Sequence, residues 1–201
     1  MPRPKKSPQE IAEMRERILS AAMELLEKEG TAGLSIRKIG RRLGVSHMVL
    51  YTYFENRNAL VEALKEQWLE RLEAQRADAL REAAGGDALV VLRESLAYLT
   101  QRAHEHPQIY RLAWVNCGAE ELAHDRSRYT EGHLAHLARL VALCIERDQC
   151  VDRDPRLAAA MALCIVNSPH VLYHSERLTD RTLYAQLEPE ALQAAMDYLT
   201  E

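Results

Sequence analysis

Apolar residues recur every three or four positions along almost the whole chain, and this spacing constrains the fold more than any other feature. Between residues 7 and 29 they fall at Ile11, Met14, Ile18, Ala22 and Leu25. Residues at this spacing lie on one face of a helix. The pattern continues near 35–43, 46–54, 56–85, 87–105, 108–117, 119–147, 155–177 and 188–200. No stretch alternates apolar and polar residues between hairpin turns, so the sequence predicts an all-α fold.

Capping residues and glycines mark where these helices begin and end. Ser7 can cap the first helix, and Gly30 can end it. Gly44 and Ser46 separate two short helices that together have the arrangement of a helix-turn-helix. The apolar core positions of this motif are Ile36, Ile39, Leu43, Val45 and Leu50. Asn56 can cap a fourth, long helix.

The chain is mildly acidic, with a formal net charge of −4, but its charge is unevenly divided. Residues 1–60 carry 11 Lys and Arg against 7 Asp and Glu, whereas residues 61–201 carry 15 against 23. A basic first region suits local binding to a polyanion, while the acidic remainder argues against a general coat for nucleic acid. An arm of Arg3, Lys5 and Lys6 is a candidate for the DNA minor groove, with a solvated tail as the alternative.

Composition and motifs exclude several classes of protein. The longest uninterrupted apolar run, from Leu157 to Val166, is ten residues, far below the roughly 18 needed to cross a bilayer. The four cysteines have no C-x-x-C spacing, so a reducing cytoplasm is the expected location. The sequence has no nucleophile elbow, phosphate-binding loop, zinc-protease motif or dinucleotide fingerprint. We therefore expect a cytoplasmic protein that is not an enzyme, has no cofactor and does not contact a membrane.

Basic, hydroxyl and aromatic side chains surround the core of the helix-turn-helix. They are Arg37, Lys38, Arg41, Arg42, Ser46, His47, Tyr51, Thr52 and Tyr53. The second helix of such a motif can enter the major groove of DNA, about 12 Å wide, and His47 and Met48 lie where base edges would be contacted. Two short amphipathic helices joined at a glycine also occur in ordinary helical bundles, so periodicity alone does not decide the function.

Several separate segments of the first third resemble the DNA-binding domain of the tetracycline-repressor (TetR) family of bacterial regulators. They are RILSAA (17–22), Gly30, LSIRKI (34–39), LGVS (43–46), LYTYF (50–54) and NAL (58–60). The resemblance implies a ligand-responsive transcriptional repressor. Its DNA-binding domain would occupy residues 1–56, and a helical effector-binding and dimerisation domain would occupy residues 57–201.

Three residues depart from the usual pattern of that family. At positions 48 and 49 the family usually has a small residue followed by Thr or Ser, whereas this chain has methionine followed by valine. The apolar side chain of Met48 is suited to contact with a thymine methyl group. Gly40 replaces the usual alanine, and Arg57 replaces a lysine but stays a phosphate-binding cation. The predicted DNA-binding residues are Ser35, Arg37, Ser46, His47, Met48, Tyr51, Tyr53 and Arg57.

The second region offers a candidate pocket for a small molecule. Tyr110 and Trp114 lie one helical turn apart and can wall an apolar pocket, with ordinary core packing as the alternative. The predicted ligand-binding residues are Tyr110, Trp114, His133, Leu137, Asn167 and His170. Because Lys and Arg do not cluster among them, we expect an uncharged, partly aromatic or weakly cationic effector that changes the spacing of two DNA-binding domains.

Two alternatives to an organic effector stay open. His133 and His136 lie three residues apart, and His170 and His174 lie four apart, so each pair shares a helical face that could hold a metal together with a cysteine such as Cys117. No four-ligand set is complete, so we predict no metal site. The other alternative is an architectural DNA-binding protein without a ligand, which a solidly packed second region would favour.

We also expect a two-fold homodimer on a near-palindromic operator in double-stranded DNA, because one short recognition helix contacts too few bases. The last two helices are the predicted interface. Their apolar residues are Leu157, Ala158, Met161, Ala162, Ile165, Val171, Leu172, Leu192, Ala195, Met196 and Leu199. Pro169 should bend the first of these helices.

Overall fold

The structure, a computed structural model, describes residues 7–115 and 120–201. All regular structure in these ranges is helical, so the predicted all-α fold is confirmed. The predicted basic arm and Cys117 lie outside the described residues. The chain forms two compact units, a head that ends at Arg71 and a body that begins at Leu72. The functional boundary at residue 56 stays a prediction.

The head contains α1 (Pro8–Glu29), a 3-10 turn (Gly30–Gly33), α2 (Ile36–Leu43), α3 (His47–Leu50) and the first part of α4 (Arg57–Gly85). Ser7 caps α1 as predicted. Its hydroxyl accepts a hydrogen bond from the Glu10 N–H at 3.2 Å, and the Glu10 carboxylate accepts one from the Ser7 N–H at 2.7 Å. Asn56 caps α4 by accepting from the Ala59 N–H at 2.9 Å.

The core of the head is made by side chains from all four helices. Ile18, Ile39, Leu50 and Leu60 are completely buried. Trp68, on the part of α4 that belongs to the head, is half-buried. The apolar stripes predicted from the spacing therefore meet in one core.

Gly33, at the end of the 3-10 turn, lies directly against α1. A Cβ atom on this residue would lie 2.2 Å from the backbone oxygen of Leu25 and 2.8 Å from its carbonyl carbon. Because backbone atoms of a helix cannot move aside cheaply, only glycine fits at this position.

The body contains the rest of α4, α5 (Ala88–Glu105), α6 (Pro107–Tyr110), a π-helical turn (Arg111–Val115), α7 (Glu120–Glu146), α8 (Pro155–His174) and α9 (Arg181–Thr200). Helices α5, α7, α8 and α9 pack around one apolar core. Its fully buried members include Leu92, Leu96, Leu99, Leu137, Leu140, Val141 and Leu199.

Helix boundaries in the body differ from the sequence prediction at three places. The segment predicted at 108–117 is divided between α6 and the π-helical turn. Helix α8 ends at His174 rather than at 177, because the N–H groups of Arg177 and Leu178 both bond the Leu172 carbonyl at 3.0 Å. Helix α9 begins at Arg181 rather than near 188, because Asp180 caps it, and Pro189 lies inside the helix.

Helix α8 is long and apolar enough to cross a membrane when judged by length and composition alone. Half of the apolar window is buried inside the body. The core helix of a folded domain passes the same test, so this helix is weak evidence for a membrane span.

Candidate DNA-binding surface and effector pocket

Because Gly40 has no side chain, α2 can approach the start of α3 very closely. Gly44 ends α2 with φ 68° and ψ 27°, a left-handed conformation that glycine adopts without strain. The Val45 N–H then bonds the Gly40 carbonyl at 2.9 Å. A Cβ atom on Gly40 would lie 2.9 Å from the Val45 oxygen and 3.4 Å from the His47 nitrogen. The replacement of the family's usual alanine thus matches a very close approach of the two helices.

The predicted base-contacting residues lie on the solvent-facing side of α3. Met48 is 62% exposed and Tyr51 is 46% exposed, and His47 and Ser46 are exposed as well. The rings of His47 and Tyr51 lie 6.4 Å apart, so they share one face. The Ser46 hydroxyl caps α3 by accepting from the Met48 N–H at 3.3 Å. Regular α3 ends at Leu50 rather than near residue 54, and turns continue through 51–53.

The other predicted DNA-binding residues differ in how much surface they present. Arg37 is exposed on α2, and Ser35 is the partly buried N-cap residue of that helix. Arg57 is exposed, but its Nε donates to the Leu34 carbonyl at 3.0 Å, so it also joins α4 to the segment before α2. Tyr53 is only 9% exposed and presents little surface to a phosphate.

Part of the basic charge of α2 is used inside the head. Lys38 forms an ion pair with Glu29, and Arg42 forms one with Glu24, both across to α1. The hydrogen bond from Lys38 lowers the pKa of the Glu29 carboxyl. Arg37 and Arg41 are exposed on the same helix, so they are the cations of α2 best placed to meet phosphates.

Five of the six predicted ligand-binding residues lie together in the body. The Tyr110 hydroxyl donates a hydrogen bond to Asn167 Oδ1 at 2.5 Å. The Tyr110 ring lies 6.4 Å from the Trp114 ring and 6.0 Å from the His170 ring, and Trp114 lies 6.5 Å from His133. These five residues therefore meet across α6, the π-helical turn, α7 and α8, and their role in ligand binding stays a prediction.

His170 is fully buried, and both of its ring nitrogens have partners. Its Nε2 lies 2.9 Å from Thr100 Oγ1, and its Nδ1 lies 2.8 Å from the Tyr184 hydroxyl. Burial lowers the pKa of His170 to about 4, so its ring is neutral at pH 7. Leu137, the sixth predicted residue, is fully buried in the apolar core.

A cleft of about 260 Å³ opens elsewhere in the body, between α4, α5 and α7. Its lining combines apolar residues with nitrogen-bearing side chains, and His133 is the predicted ligand-binding residue that it includes. The lining includes Leu72, Arg76, Ala79, Val91, Ser95, His133 and His136.

The two histidines of the cleft are buried and neutral at pH 7. Burial is the main cause that lowers the pKa of His133 to about 3 and that of His136 to about 4, and nearby Arg76 lowers both further. Within residues 7–115 and 120–201, no group of three or more His, Cys, Asp or Glu side chains is arranged to hold a metal ion.

A family model described as bacterial regulatory proteins, tetR family, matches residues 18–64. This range contains α2 and α3 together with the parts of α1 and α4 that pack on them. Over these residues the chain matches the tetR family. The family resemblance carried by the segments between residues 17 and 60 is therefore confirmed.

Two curated relatives match this chain over different shares of its length. It is 44% identical over 55 residues to the class C tetracycline repressor protein of Escherichia coli, a stretch that is 27% of this chain and 25% of that repressor. The chain thus matches about a quarter of the length of that relative. An uncharacterized helix-turn-helix-type regulator from the dhlA 5′ region of Xanthobacter autotrophicus is 29% identical over 153 residues, covering 75% of this chain and 73% of that protein.

The likeness of fold extends over nearly the whole chain. The solved structure of a TetR transcription regulator from Haloarcula marismortui ATCC 43049 superimposes with a TM-score of 0.71 and covers 94% of this chain and 97% of the other, at 22% identity. The helix-turn-helix head and the helical body are both part of this fold.

Three arginines that sequence analysis did not single out shape these sites. Arg15 of α1 donates to the Tyr53 carbonyl at 2.7 Å and supports the segment after α3. Arg147 donates to the carbonyls of Ala83 and Gly86 and so caps the end of α4. Arg76 lines the cleft. Its position was visible in the sequence, since it lies four residues after Leu72 on the apolar face of α4.

Proposed function

We propose that this tetR-family protein is a dimeric transcriptional repressor that binds a near-palindromic operator and is released from it by a small organic effector. The observation that carries the proposal is the exposed face of α3, where His47, Met48 and Tyr51 project from a head matched by the family model. Proteins of this family type work in the cytoplasm, where both the DNA and the effector are available.

Helix α3 would enter the major groove with its exposed face against the bases. Met48, an exposed thioether with no charge to satisfy, suits contact with a thymine methyl group. His47 and Tyr51 can donate hydrogen bonds to base edges or phosphates. Arg37 and Arg57 would position the head on the phosphate backbone, while the acidic remainder of the chain keeps non-specific affinity low.

Replacing Met48 and Tyr51 together by alanine should weaken operator binding by about 100-fold, because each base or phosphate contact contributes about 1–3 kcal/mol. Both side chains are largely exposed, so the head should stay folded. Fluorescence anisotropy with the DNA upstream of the chain's own gene measures the affinity. Replacing Arg57 would test DNA contact less cleanly, because it would also remove the hydrogen bond to the Leu34 carbonyl inside the head.

The matched control for this experiment is Ile11→Ala. Ile11 is 42% exposed and lies on α1 of the same head, outside the helix-turn-helix. It should leave DNA affinity unchanged. Equal affinities for the wild type and the Met48/Tyr51 double variant would overturn the proposed DNA-binding surface.

The proposed dimer interface is the solvent-facing stripe of α8. Leu157 is 59% exposed, and Met161 and Leu172 are each 42% exposed, at spacings that place them on one face of the helix. An apolar stripe of this kind suits a second copy of the same helix across a two-fold axis. Several residues predicted for the interface are instead buried in the core of the single chain, because one face of α8 and one face of α9 pack into that core. They are Ala158, Ala162, Ala195, Met196 and Leu199.

Introducing a charge into this stripe should separate the dimer. Met161→Glu would place a carboxylate in the apolar contact, where an unpaired charge is costly. Light scattering at micromolar concentration should give twice the chain mass for the wild type and a single chain mass for the variant. Val90→Glu, which changes an apolar residue of α5 that is 50% exposed, should remain dimeric. A monomeric wild type would refute the dimer.

The effector would act by preferring one of two arrangements of the dimer. A ligand with equal affinity for the DNA-binding and released states shifts nothing, so its preference must reach a few kcal/mol. The cleft of about 260 Å³ in the body favours a ligand-binding regulator over a solidly packed architectural protein.

A further inference from the structure

Arg76 is a half-buried cation whose donors are not fully used. It lies on α4 with its guanidinium carbon 5.9 Å from the centre of the Tyr129 ring. Its Nε and Nη2 atoms are buried and have no hydrogen-bond partner among the residues that the structure describes. Burial lowers the pKa of Arg76, but a guanidinium stays charged at pH 7. Glu73 is the nearby carboxylate that favours its charge. Buried donors without partners are unfavourable, so the two nitrogens favour an anionic partner that accepts hydrogen bonds from them.

Helix α7 makes room for this guanidinium with a glycine. A Cβ atom on Gly132 would lie 2.7 Å from Arg76 Nη1. Any larger residue at that position would push the arginine away from α7. The close approach of Arg76 to the α7 backbone therefore depends on Gly132 and fixes the guanidinium in the wall of the cleft.

Two more buried nitrogens without partners belong to residues that line the same cleft. His133 Nε2 and His136 Nδ1 have no hydrogen-bond partner among the described residues, and the two side chains are only 4% and 6% exposed. The other ring nitrogen of His136 lies 3.4 Å from Ser95 Oγ. The imidazoles can therefore add hydrogen bonds to a ligand without adding charge at pH 7.

The remaining lining limits the charge and the character of the ligand. Leu72, Ala79 and Val91 supply apolar surface. Glu82 and Glu94 also line the cleft, and both are exposed. Their carboxylates oppose a second negative charge on the ligand. One half-buried cation, apolar walls and two exposed carboxylates fit a ligand that carries a single negative charge on an apolar body.

We propose that this cleft is the effector site and that it binds a small monocarboxylic acid, with the carboxylate held by the guanidinium of Arg76 and the apolar part against Leu72, Ala79 and Val91. This assignment rests on the proposed function, in which a small molecule controls DNA binding. A carboxylate accepts two parallel hydrogen bonds from the arginine fork. The Arg76 cation favours an acid over the uncharged or weakly cationic molecule that the sequence favoured.

Three acids and their neutral amides test the site. Benzoate, phenylacetate and hexanoate are compared with benzamide, phenylacetamide and hexanamide by thermal shift and calorimetry on the full chain. At least one acid should bind about tenfold or more tightly than its amide, as expected for charge-assisted hydrogen bonds. If no acid is preferred over its amide, the assignment is overturned.

Variants of Arg76 separate binding from folding. Arg76→Gln should lower the affinity for the preferred acid by about tenfold or more. Arg76→Met should abolish binding of that acid while the ligand-free protein melts at the same temperature or higher, since two buried donors without partners are removed. Gly132→Ala should also lower the affinity for the acid, because the added methyl group would displace the guanidinium. The control Arg81→Gln, on an exposed position of α4 paired with Asp78, should bind the acid as the wild type does. Unchanged acid binding in Arg76→Gln would overturn the proposal.

DNA binding measured in the same samples distinguishes the two proposals. A protein that binds its operator but shows no Arg76-dependent preference for an acid upholds the proposed function and overturns the acid site. A protein that binds an acid through Arg76 but no DNA upholds the acid site and overturns the proposed function. Release of the operator by the acid in the wild type, but not in Arg76→Gln, supports both.

Discussion

Replacing Gly33 by alanine is expected to destabilise the head by about 3 kcal/mol. The new Cβ atom would lie 2.2 Å from the Leu25 backbone oxygen and 3.2 Å from Glu29 Cβ, so α1 and the 3-10 turn would have to separate. A loss of this size is a large fraction of the stability of an ordinary domain, about 5–15 kcal/mol.

Hydrogen exchange of α1 to α3, together with urea denaturation, measures this effect. The matched control is Gly85→Ala at the end of α4, where an added Cβ would meet nothing within 4 Å. That variant should be as stable as the wild type or slightly more stable, because alanine favours the helix. Unchanged protection of α1 to α3 in Gly33→Ala would contradict the close packing of the 3-10 turn on α1.

Acidification from pH 7 to pH 5 is expected to destabilise the body by several kcal/mol. Burial lowers the pKa of His133 to about 3 and the pKa values of His136 and His170 to about 4, from an ordinary value of 6.5. Between these values the unfolded chain binds more protons than the folded one, so stability falls as the pH decreases below about 6.5. Each histidine contributes about 2 kcal/mol of this loss at pH 5.

Urea denaturation of the wild type and of His133→Phe at both pH values isolates this contribution. The phenylalanine variant cannot take up the proton, so the difference in its free energy of unfolding between pH 7 and pH 5 should be smaller by about 2 kcal/mol. His47→Phe, on the exposed face of α3, should keep the wild-type pH dependence. An equal pH dependence in His133→Phe and the wild type would show that His133 does not titrate as a buried group.

The sequence was most informative about the head, where local signals and packing agree. Ser7, Gly30, Gly44 and Asn56 each lie at a helix boundary in the structure, because caps and left-handed turns act through neighbouring residues. The sequence also predicted that Met48 is exposed, because Val45 and Leu50 on either side of it occupy the core positions. Tyr53 shows the limit of this argument, since its burial depends on packing within the whole head.

The body was harder to predict because its decisive contacts join distant residues. Arg76 comes close to the α7 backbone only because position 132 is a glycine, and these two residues are far apart in the sequence. Pro189 suggested a break, yet the Asp180 cap and the packing of α9 on α8 keep the helix intact. Sequence spacing did place Tyr110 beside Trp114, since residues one turn apart share a face.

The two tryptophans of the chain lie in different compact units, Trp68 in the head and Trp114 in the body. Their intrinsic fluorescence therefore supplies a separate optical signal for each unit, without any added label. Trp68→Phe would leave Trp114 as the sole indole emitter, with Tyr129 at 5.6 Å and His133 at 6.5 Å. Since His133 also lines the cleft, the emission of this single-tryptophan protein would change as the cleft fills.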